Sequence, residues 1–374
     1  MTALHRARYL AEEVFTEPED RLLPTTFTKN LATDISQNLR KLCTVERAWS
    51  RIEVRHLDGW VANFLATQGF RSEVLYNDEN DCWRAAIDQA PAEAGLPASF
   101  YRVEWEHVVQ AQNITTLDAY LVAPRLGRGT RLSREMKHKV WAVFQEYRAE
   151  LNQPRRKEYV DLIRDARQLI EQKGLKRPYR AVLVDEAQDM SAEAFRLIRA
   201  LVPPGENDIF IVGDAHQRIY RHRVTLGQCG IDIRGRGKKL KVNYRTTDEI
   251  RRFAVQLLEG RPIDDLDGGP DDQQGYMSLT HGASPTVHSF SSVADEIAYV
   301  THYMLGLQRD SAALESICIV ARTTSRAGDA TWLIGGSPGF ASSRSSAVTF
   351  SIPSPWPPCW KRPQQPLHVQ SSRR

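Results

Sequence analysis

The residues best suited to chemistry are two carboxylates that directly follow a short apolar run. Val182-Leu183-Val184 precedes Asp185 and Glu186, and Gln188 and Asp189 come next. The apolar run predicts a buried strand, and ligands bind beyond the carboxyl ends of strands in an open α/β sheet. The first carboxylate can hold Mg²⁺, directly or through water, and the second can orient and deprotonate an attacking water. The alternative is an ordinary strand that ends in a solvated acidic turn.

Polar residues also follow a second apolar run. Ile209-Phe210-Ile211-Val212 is followed by Gly213-Asp214 and then by Gln217, and further along the chain lie Tyr244 and Arg245. An aromatic face suits a purine, and a guanidinium group suits a phosphate better than an ammonium group does. Taken alone, Tyr244 and Arg245 are better explained as a buried strand aromatic beside a surface arginine.

Strands and helices alternate around these residues, which predicts how they are positioned. A helix is expected from Ser191, a suitable N-cap, to Leu201, between the strands at 181–184 and 209–212. Continuous apolar strands that alternate with helices predict a parallel sheet covered on both faces. The remaining predicted elements are helices over 4–15, 31–42 and 60–65, strands at 22–28 and 52–54, a mostly helical section over 77–174, and a second strand–helix–strand pattern at 287–290, 297–305 and 317–320.

Three motifs occur in order along the chain: DEAQD at 185–189, VGDxxQxIY at 212–220 and NYR at 243–245. This series resembles motifs II, III and IV of the UvrD/Rep-type superfamily 1 DNA helicases. Gln217 argues against DEAD-box RNA helicases, whose third motif is of a Ser-Ala-Thr type. TTFTKNLA at 25–32 resembles motif Ia, and HLDGW at 56–60 resembles the segment just after it. The resemblance covers roughly residues 1–326.

The resemblance implies ATP and Mg²⁺ as cofactors and assigns a role to each polar residue. By this likeness Asp185 coordinates Mg²⁺ and Glu186 is the catalytic base. Gln217 senses the γ-phosphate and relays its presence toward DNA. Tyr244 stacks on the adenine, and Arg245 contacts the γ-phosphate.

The implied partner is single-stranded or partially duplex DNA, with Phe27, Thr28, Tyr220 and His222 as candidate contacts. A base stacked on an aromatic ring contributes about 1–3 kcal/mol and tolerates any sequence. His222 stands where the family usually has Trp, and an imidazole stacks less well than an indole. Phe27 is alternatively a core residue at the end of a strand.

The predicted fold is α/β, with a RecA-like parallel sheet, a helical insertion and an incomplete second RecA-like domain. We expect the first domain at residues 1–75 and 176–262, the insertion at 76–175 and the partial second domain at 276–326. Residues 327–374 lose all periodicity while keeping Trp and Phe, so an irregular tail is expected. One hypothesis is that the reading frame changes near codon 328.

The sequence contains no phosphate-binding loop of the type G-x-x-x-x-G-K-[S/T]. Gly127–Thr130 and Gly235–Lys239 are basic and glycine-containing, but neither has the required spacing. Motifs V and VI find no match after Arg326. The expectation is therefore a helicase of this type, truncated at both ends, that translocates 3′ to 5′ on DNA in repair or recombination. The alternative is a catalytically inactive remnant that binds DNA or protein.

Composition is compatible with this interpretation without requiring it. The net charge of +4 and the pI near 8.7 permit nucleic-acid binding, whose affinity comes largely from phosphate neutralisation. The five cysteines are scattered, which argues against a zinc site or a disulfide framework and fits a reducing compartment. No apolar run is long enough to cross a bilayer. We expect a cytoplasmic protein.

Overall fold

The computed structural model describes residues 1–309 except for 71–72, 75–78, 91–94, 126–128, 153–155, 173–176, 218–223, 260–262, 264–268 and 270–274, together with 317–318 and 370–371. The helices are α1 (Thr2–Tyr9), α2 (Lys29–Leu42), α3 (Glu46–Trp49), α4 (Leu57–Thr67), α5 (Glu79–Gln89), α6 (Ala98–Glu104), α7 (Leu117–Val122), α8 (Arg134–Asn152), α9 (Tyr159–Gln172), α10 (Ala192–Leu201), α11 (Asp248–Gln256) and α12 (Val293–Arg309). The strands are β1 (Leu22–Thr26), β2 (Arg55–His56), β3 (Glu73–Val74), β4 (Arg156–Lys157), β5 (Ala181–Val184), β6 (Ile209–Ile211), β7 (Val242–Asn243), β8 (Met277–Ser278), β9 (Ile317–Cys318) and β10 (Gln370–Ser371).

Four strands form one parallel sheet in the order β2-β1-β5-β6. Every residue of β1 and β5 is buried, as expected for central strands covered on both faces. Alternate side chains along a strand point to opposite faces. Leu23, Val182 and Val184 accordingly join one core with α4, α9 and α10, whereas Leu22 and Leu183 join another with α1 and α2. The predicted α/β class with a parallel sheet is confirmed.

Pro24 lies inside β1, where a strand normally needs its backbone N–H. Leu22 exchanges both of its backbone hydrogen bonds with residues 51–53. Pro24, two residues further along, faces the same neighbouring strand. Pairing on that side resumes only at Thr25↔Arg55. Pro24 therefore lies at a break in the ladder, where its missing N–H costs the sheet no hydrogen bond. Because of this break, the strand expected at 52–54 consists only of one isolated bridge, Leu22↔Ile52, before β2 begins.

The helical insertion has a core of its own, which is rich in aromatic rings. Trp83 stacks on Tyr147 with ring centroids 3.7 Å apart, and the edges of Trp105 and Phe144 meet the same cluster. This core runs from Cys82 to Leu151. Helix α9, which the predicted boundaries place in the insertion, instead contributes its apolar face to the core of the sheet.

The carboxylate of Glu158 connects the insertion to α9. Glu158 accepts hydrogen bonds from Trp105 Nε1 at 2.9 Å, from Tyr147 Oη at 3.0 Å and from the Gln110 amide. Arg148 lies over the Trp105 ring and pairs with Asp161 at 2.9 Å. Burial, followed by the charge of Asp161, raises the pKa of Glu158 to about 6.

The raised pKa of Glu158 predicts a pH-dependent stability. Because the folded protein favours the protonated carboxyl, its contribution is complete below the ordinary pKa near 4.5 and is lost as the pH rises through about 6. We expect the free energy of unfolding to fall by about 1–2 kcal/mol from this group between pH 4.5 and 7. Glu158→Gln should remove that dependence, and Glu135→Gln on the exposed face of α8 should keep it. Denaturation curves at a series of pH values test this, and parallel pH profiles for wild type and Glu158→Gln would contradict it.

The described residues within 239–259 and 275–309 belong to a second compact unit. There β7 and β8 pair in parallel, and the hydroxyl of Thr247 caps the amino end of α11 by accepting the Ile250 N–H. The strand predicted at 287–290 is wrong, because His288 and Phe290 pack their rings against Tyr299 of α12 instead of entering a sheet. Within the predicted irregular tail, residues 370–371 pair with β9. The second RecA-like domain stays a prediction.

No helix in the described part of the chain combines the length and the apolar character needed to span a membrane.

Candidate nucleotide site

The two carboxylates singled out in the sequence stand where the central strand β5 ends. The backbone N–H of Asp185 donates to the Thr25 carbonyl at 3.0 Å, so Asp185 extends the ladder between β1 and β5. Glu186 then adopts left-handed backbone angles, with φ 53° and ψ 44°. A non-glycine residue in this conformation costs on the order of 1 kcal/mol and is often found at functional sites. The turn ends the strand abruptly and starts a short 3₁₀ helix over Ala187–Asp189.

The buried side chain of Gln188 joins this turn to the end of β6. Its amide nitrogen donates to Glu186 Oε2 at 2.6 Å, and its Oε1 accepts the backbone N–H of Asp214 at 3.0 Å. A backbone bond from Ala187 N–H to the Val212 carbonyl, at 3.0 Å, reinforces the connection. The Gln188 amide therefore holds both the carboxylate of Glu186, the candidate catalytic base, and the backbone of Asp214 after β6.

The close approach of the two turns favours a glycine at position 213. A Cβ atom there would lie 3.0 Å from Gln188 Oε1 and 3.2 Å from both Ala187 Cβ and the Gln188 nitrogen. Such distances are tighter than ordinary van der Waals contact. Gly213 thus lets the end of β6 reach the amide of Gln188.

Asp214 carries the connection onward to Gln217. Its Oδ2 accepts the Gln217 amide at 2.9 Å, and its Oδ1 accepts the backbone N–H of His216 at 3.0 Å. Gln217 is exposed at the end of a 3₁₀ turn over Ala215–Gln217. The structure therefore brings Glu186 and Gln217 into one hydrogen-bonded chain, Glu186–Gln188–Asp214–Gln217.

Asp185 is half-buried, and its surroundings disfavour a negative charge. Burial, followed by the charge of Glu186, raises its pKa above the ordinary value, while the Met1 amino group and the Glu186 backbone N–H act in the opposite direction. Asp185 also lines a small cavity of about 10 Å³ with Ala3 and Leu4, so the amino end of α1 lies beside it. A cation at this edge would offset the electrostatic cost of ionising Asp185.

The side-chain atoms that could bind a metal ion at this end of the sheet are oxygens, which Mg²⁺ prefers as ligands. Besides Asp185 and Glu186, the buried hydroxyls of Thr25 and Thr26 lie at the neighbouring end of β1 and find no hydrogen-bond partner among the described residues. Over the described residues there is no group of three or more His, Cys, Asp or Glu side chains that could hold a metal ion. Magnesium in nucleotide sites needs no such group, because one or two carboxylates hold it together with phosphate and water. The residues fit a magnesium–nucleotide complex.

Comparison with known proteins gives the family. A family model described as the UvrD/REP helicase N-terminal domain matches residues 2–227, which is more than half of the chain. The chain belongs to the UvrD/REP helicase family. Proteins named ATP-dependent DNA helicase UvrD1 from Mycobacterium bovis and from two strains of Mycobacterium tuberculosis are 27% identical to it over 276 residues. These alignments cover 64% of this chain and 33% of each relative, so the chain spans about a third of the length of these relatives.

Two of the four predicted DNA contacts of this UvrD/REP family member can be placed. Phe27 directly follows β1 and is 37% exposed, so part of its ring is accessible at the sheet edge. Thr28 is the N-cap of α2, and its hydroxyl accepts the Leu31 N–H at 3.3 Å. Its side chain thus has a structural task whether or not it touches DNA. Tyr220 and His222 lie outside the described residues.

Tyr244 and Arg245 belong to the second unit. Tyr244 is 73% exposed, which leaves it accessible for stacking. The Asn243 side chain accepts the backbone N–H of Arg245 at 2.9 Å and so stabilises the turn that displays both residues. Their predicted contacts with adenine and γ-phosphate stay predictions.

The sequence motifs contained two functional side chains to which sequence reasoning gave no role. Gln188 and Asp214 were noted only as parts of DEAQD and of the glycine–aspartate pair. The sequence signal for both residues was their place in the motifs, each just after a strand of the predicted parallel sheet. The bridging contact required the structure.

The bridge predicts a specific loss of stability on removal of the Gln188 amide. Gln188→Leu keeps the volume but leaves the Asp214 N–H and the Glu186 carboxylate without this partner, so the free energy of unfolding should fall by about 1–3 kcal/mol. Gln217→Leu changes the same residue type at an exposed position and should cost less than about 0.5 kcal/mol. Urea unfolding of both variants measures the difference, and equal losses would contradict the bridging role.

Proposed function

We propose that this chain acts as an ATP-dependent DNA helicase of the UvrD/Rep type, which translocates 3′ to 5′ on single-stranded DNA in repair or recombination. The observation that carries the proposal is the hydrogen-bonded chain from Glu186 through Gln188 and Asp214 to Gln217. Such a chain connects a catalytic-base candidate with an exposed amide at the end of the next strand. A change at the nucleotide can thereby reach a surface residue.

The carboxylates have distinct roles in this proposal. Asp185 would hold Mg²⁺, which neutralises the charge that develops on the transferred phosphoryl group. Glu186 orients the attacking water and accepts its proton. The described contacts of the Glu186 carboxylate use only Oε2, so Oε1 is available to that water. Tyr244 and Arg245 would bind the adenine and the γ-phosphate, and Phe27, Tyr220 and His222 would contact DNA.

Two further observations support the proposed cellular compartment and the proposed activity. Among the described residues, Cys43 and Cys229 are buried thiols outside any disulfide, which suits a reducing compartment such as the cytoplasm. The mycobacterial relatives are named ATP-dependent DNA helicase UvrD1, and that name describes them as ATP-dependent enzymes that act on DNA.

A second candidate function is a catalytically inactive module that binds DNA or protein. The 374 residues contain no G-x-x-x-x-G-K-[S/T] loop, whose backbone N–H groups and lysine hold the phosphates in this family. This observation favours binding without turnover. The two candidates differ in whether these residues hydrolyse ATP.

A DNA-stimulated ATPase assay on the full chain separates the candidates. The helicase proposal predicts Mg²⁺-dependent hydrolysis that single-stranded DNA accelerates, and Glu186→Gln should slow it by about 10²–10⁴-fold because the general base is lost. Glu206→Gln, an exposed glutamate before β6, is the matched control and should leave the rate unchanged. Absence of hydrolysis with and without DNA would reject the enzyme and favour the binding module.

A further inference from the structure

One segment outside the nucleotide site is rich in positive charge. Residues Asp232–Lys241, here called the basic segment, carry five cationic side chains and one carboxylate, a net charge of +4 within ten residues. The cations of the basic segment are Arg234, Arg236, Lys238, Lys239 and Lys241.

These cations lie on the surface, and several have no partner. All five are exposed. Arg234 pairs with Asp232 at 2.9 Å. Within the part of the chain that the structure describes, Arg236, Lys238 and Lys241 have no ion-pair partner, in contrast to Arg125 and Arg167, which pair with buried glutamates. Three unpaired cations within six residues repel one another, and an external anion would relieve that repulsion.

The basic segment is anchored where it begins and is open around its two glycines. Ile231 is buried in the core that covers the sheet, and Ile233 packs against that core. A turn closed by Arg236 N–H on the Ile233 carbonyl places Gly235 at φ 71°. A Cβ atom at Gly235 or Gly237 would meet nothing within 4 Å. An extended ligand can therefore approach the main chain directly.

We propose that the basic segment is a contact surface for the phosphate backbone of a nucleic-acid strand. Its charges are strung along ten consecutive residues, which suits an extended polyanion better than a single small anion. Binding such a strand releases condensed counterions, so several exposed Lys and Arg side chains give affinity without any base contact. The inference rests on the proposed function for the presence of a DNA strand, and it adds a surface that none of the helicase motifs supplies.

The test is the salt dependence of DNA binding by the full chain without nucleotide. One variant carries Arg236→Gln, Lys238→Gln and Lys241→Gln. A charge-matched control carries Lys41→Gln, Arg47→Gln and Arg134→Gln at exposed positions elsewhere. Fluorescence anisotropy with labelled oligothymidylate between 50 and 200 mM NaCl gives the slope of log K against log salt. Loss of three phosphate contacts should reduce the magnitude of that slope by about 2, so that the ratio of wild-type to variant affinity falls on the order of tenfold across this range.

Each outcome is decisive for the proposal. A reduced slope in the segment variant, with a wild-type slope in the control, supports it. Equal slopes in the two variants, with firm binding by wild type, overturn the basic segment as the contact surface while DNA binding itself stands. No binding by wild type at 50 mM NaCl overturns both the inference and the proposed DNA-directed function. If the segment variant lost binding to phosphatidylserine vesicles but kept its binding to DNA, the basic segment would be a membrane contact and the proposal would be overturned.

Discussion

The candidate site depends on one buried amide. Gln188 donates to the Glu186 carboxylate and accepts from the Asp214 backbone, so it is donor and acceptor at once. Neither a carboxylate nor an apolar side chain can make both bonds. Because an unmet polar group in a buried position costs more than the hydrogen bond contributes, the amide locks the ends of β5 and β6 together. The strained turn at Glu186 and the glycine at 213 both serve this contact.

The sheet supplies the rigid frame that makes such a contact possible. The β1–β5 ladder continues into the Asp185 backbone, and the alternating side chains of both strands anchor two separate cores. The edge of the sheet therefore carries oxygen donors on a backbone that has little freedom to move. The insertion adds a second, aromatic core whose link to α9 passes through Glu158, a carboxylate that favours its protonated form.

Local patterns predicted the strands at 181–184 and 209–212, the helix capped by Ser191 and the carboxylates at a strand end, because apolar periodicity and capping are local properties. They did not predict the Gln188 bridge, since contact between two strand ends depends on the order of the sheet. The strand expected at 287–290 failed because ring packing on α12 competes with sheet pairing. The spacing of Gly235–Lys239 excludes a phosphate-binding loop, but a local pattern does not show that its side chains are exposed, and that exposure decides its proposed role.

Hydrogen exchange at the Asp214 amide tests the central claim most directly. Its N–H is bonded to Gln188 Oε1, whereas the nearby Val212 N–H is bonded to the Val184 carbonyl and serves as the internal reference. With Gln188→Leu under native conditions, the Asp214 amide should exchange at least about tenfold faster relative to Val212 than it does in wild type. An unchanged ratio of the two rates would show that Gln188 does not hold the two strand ends together.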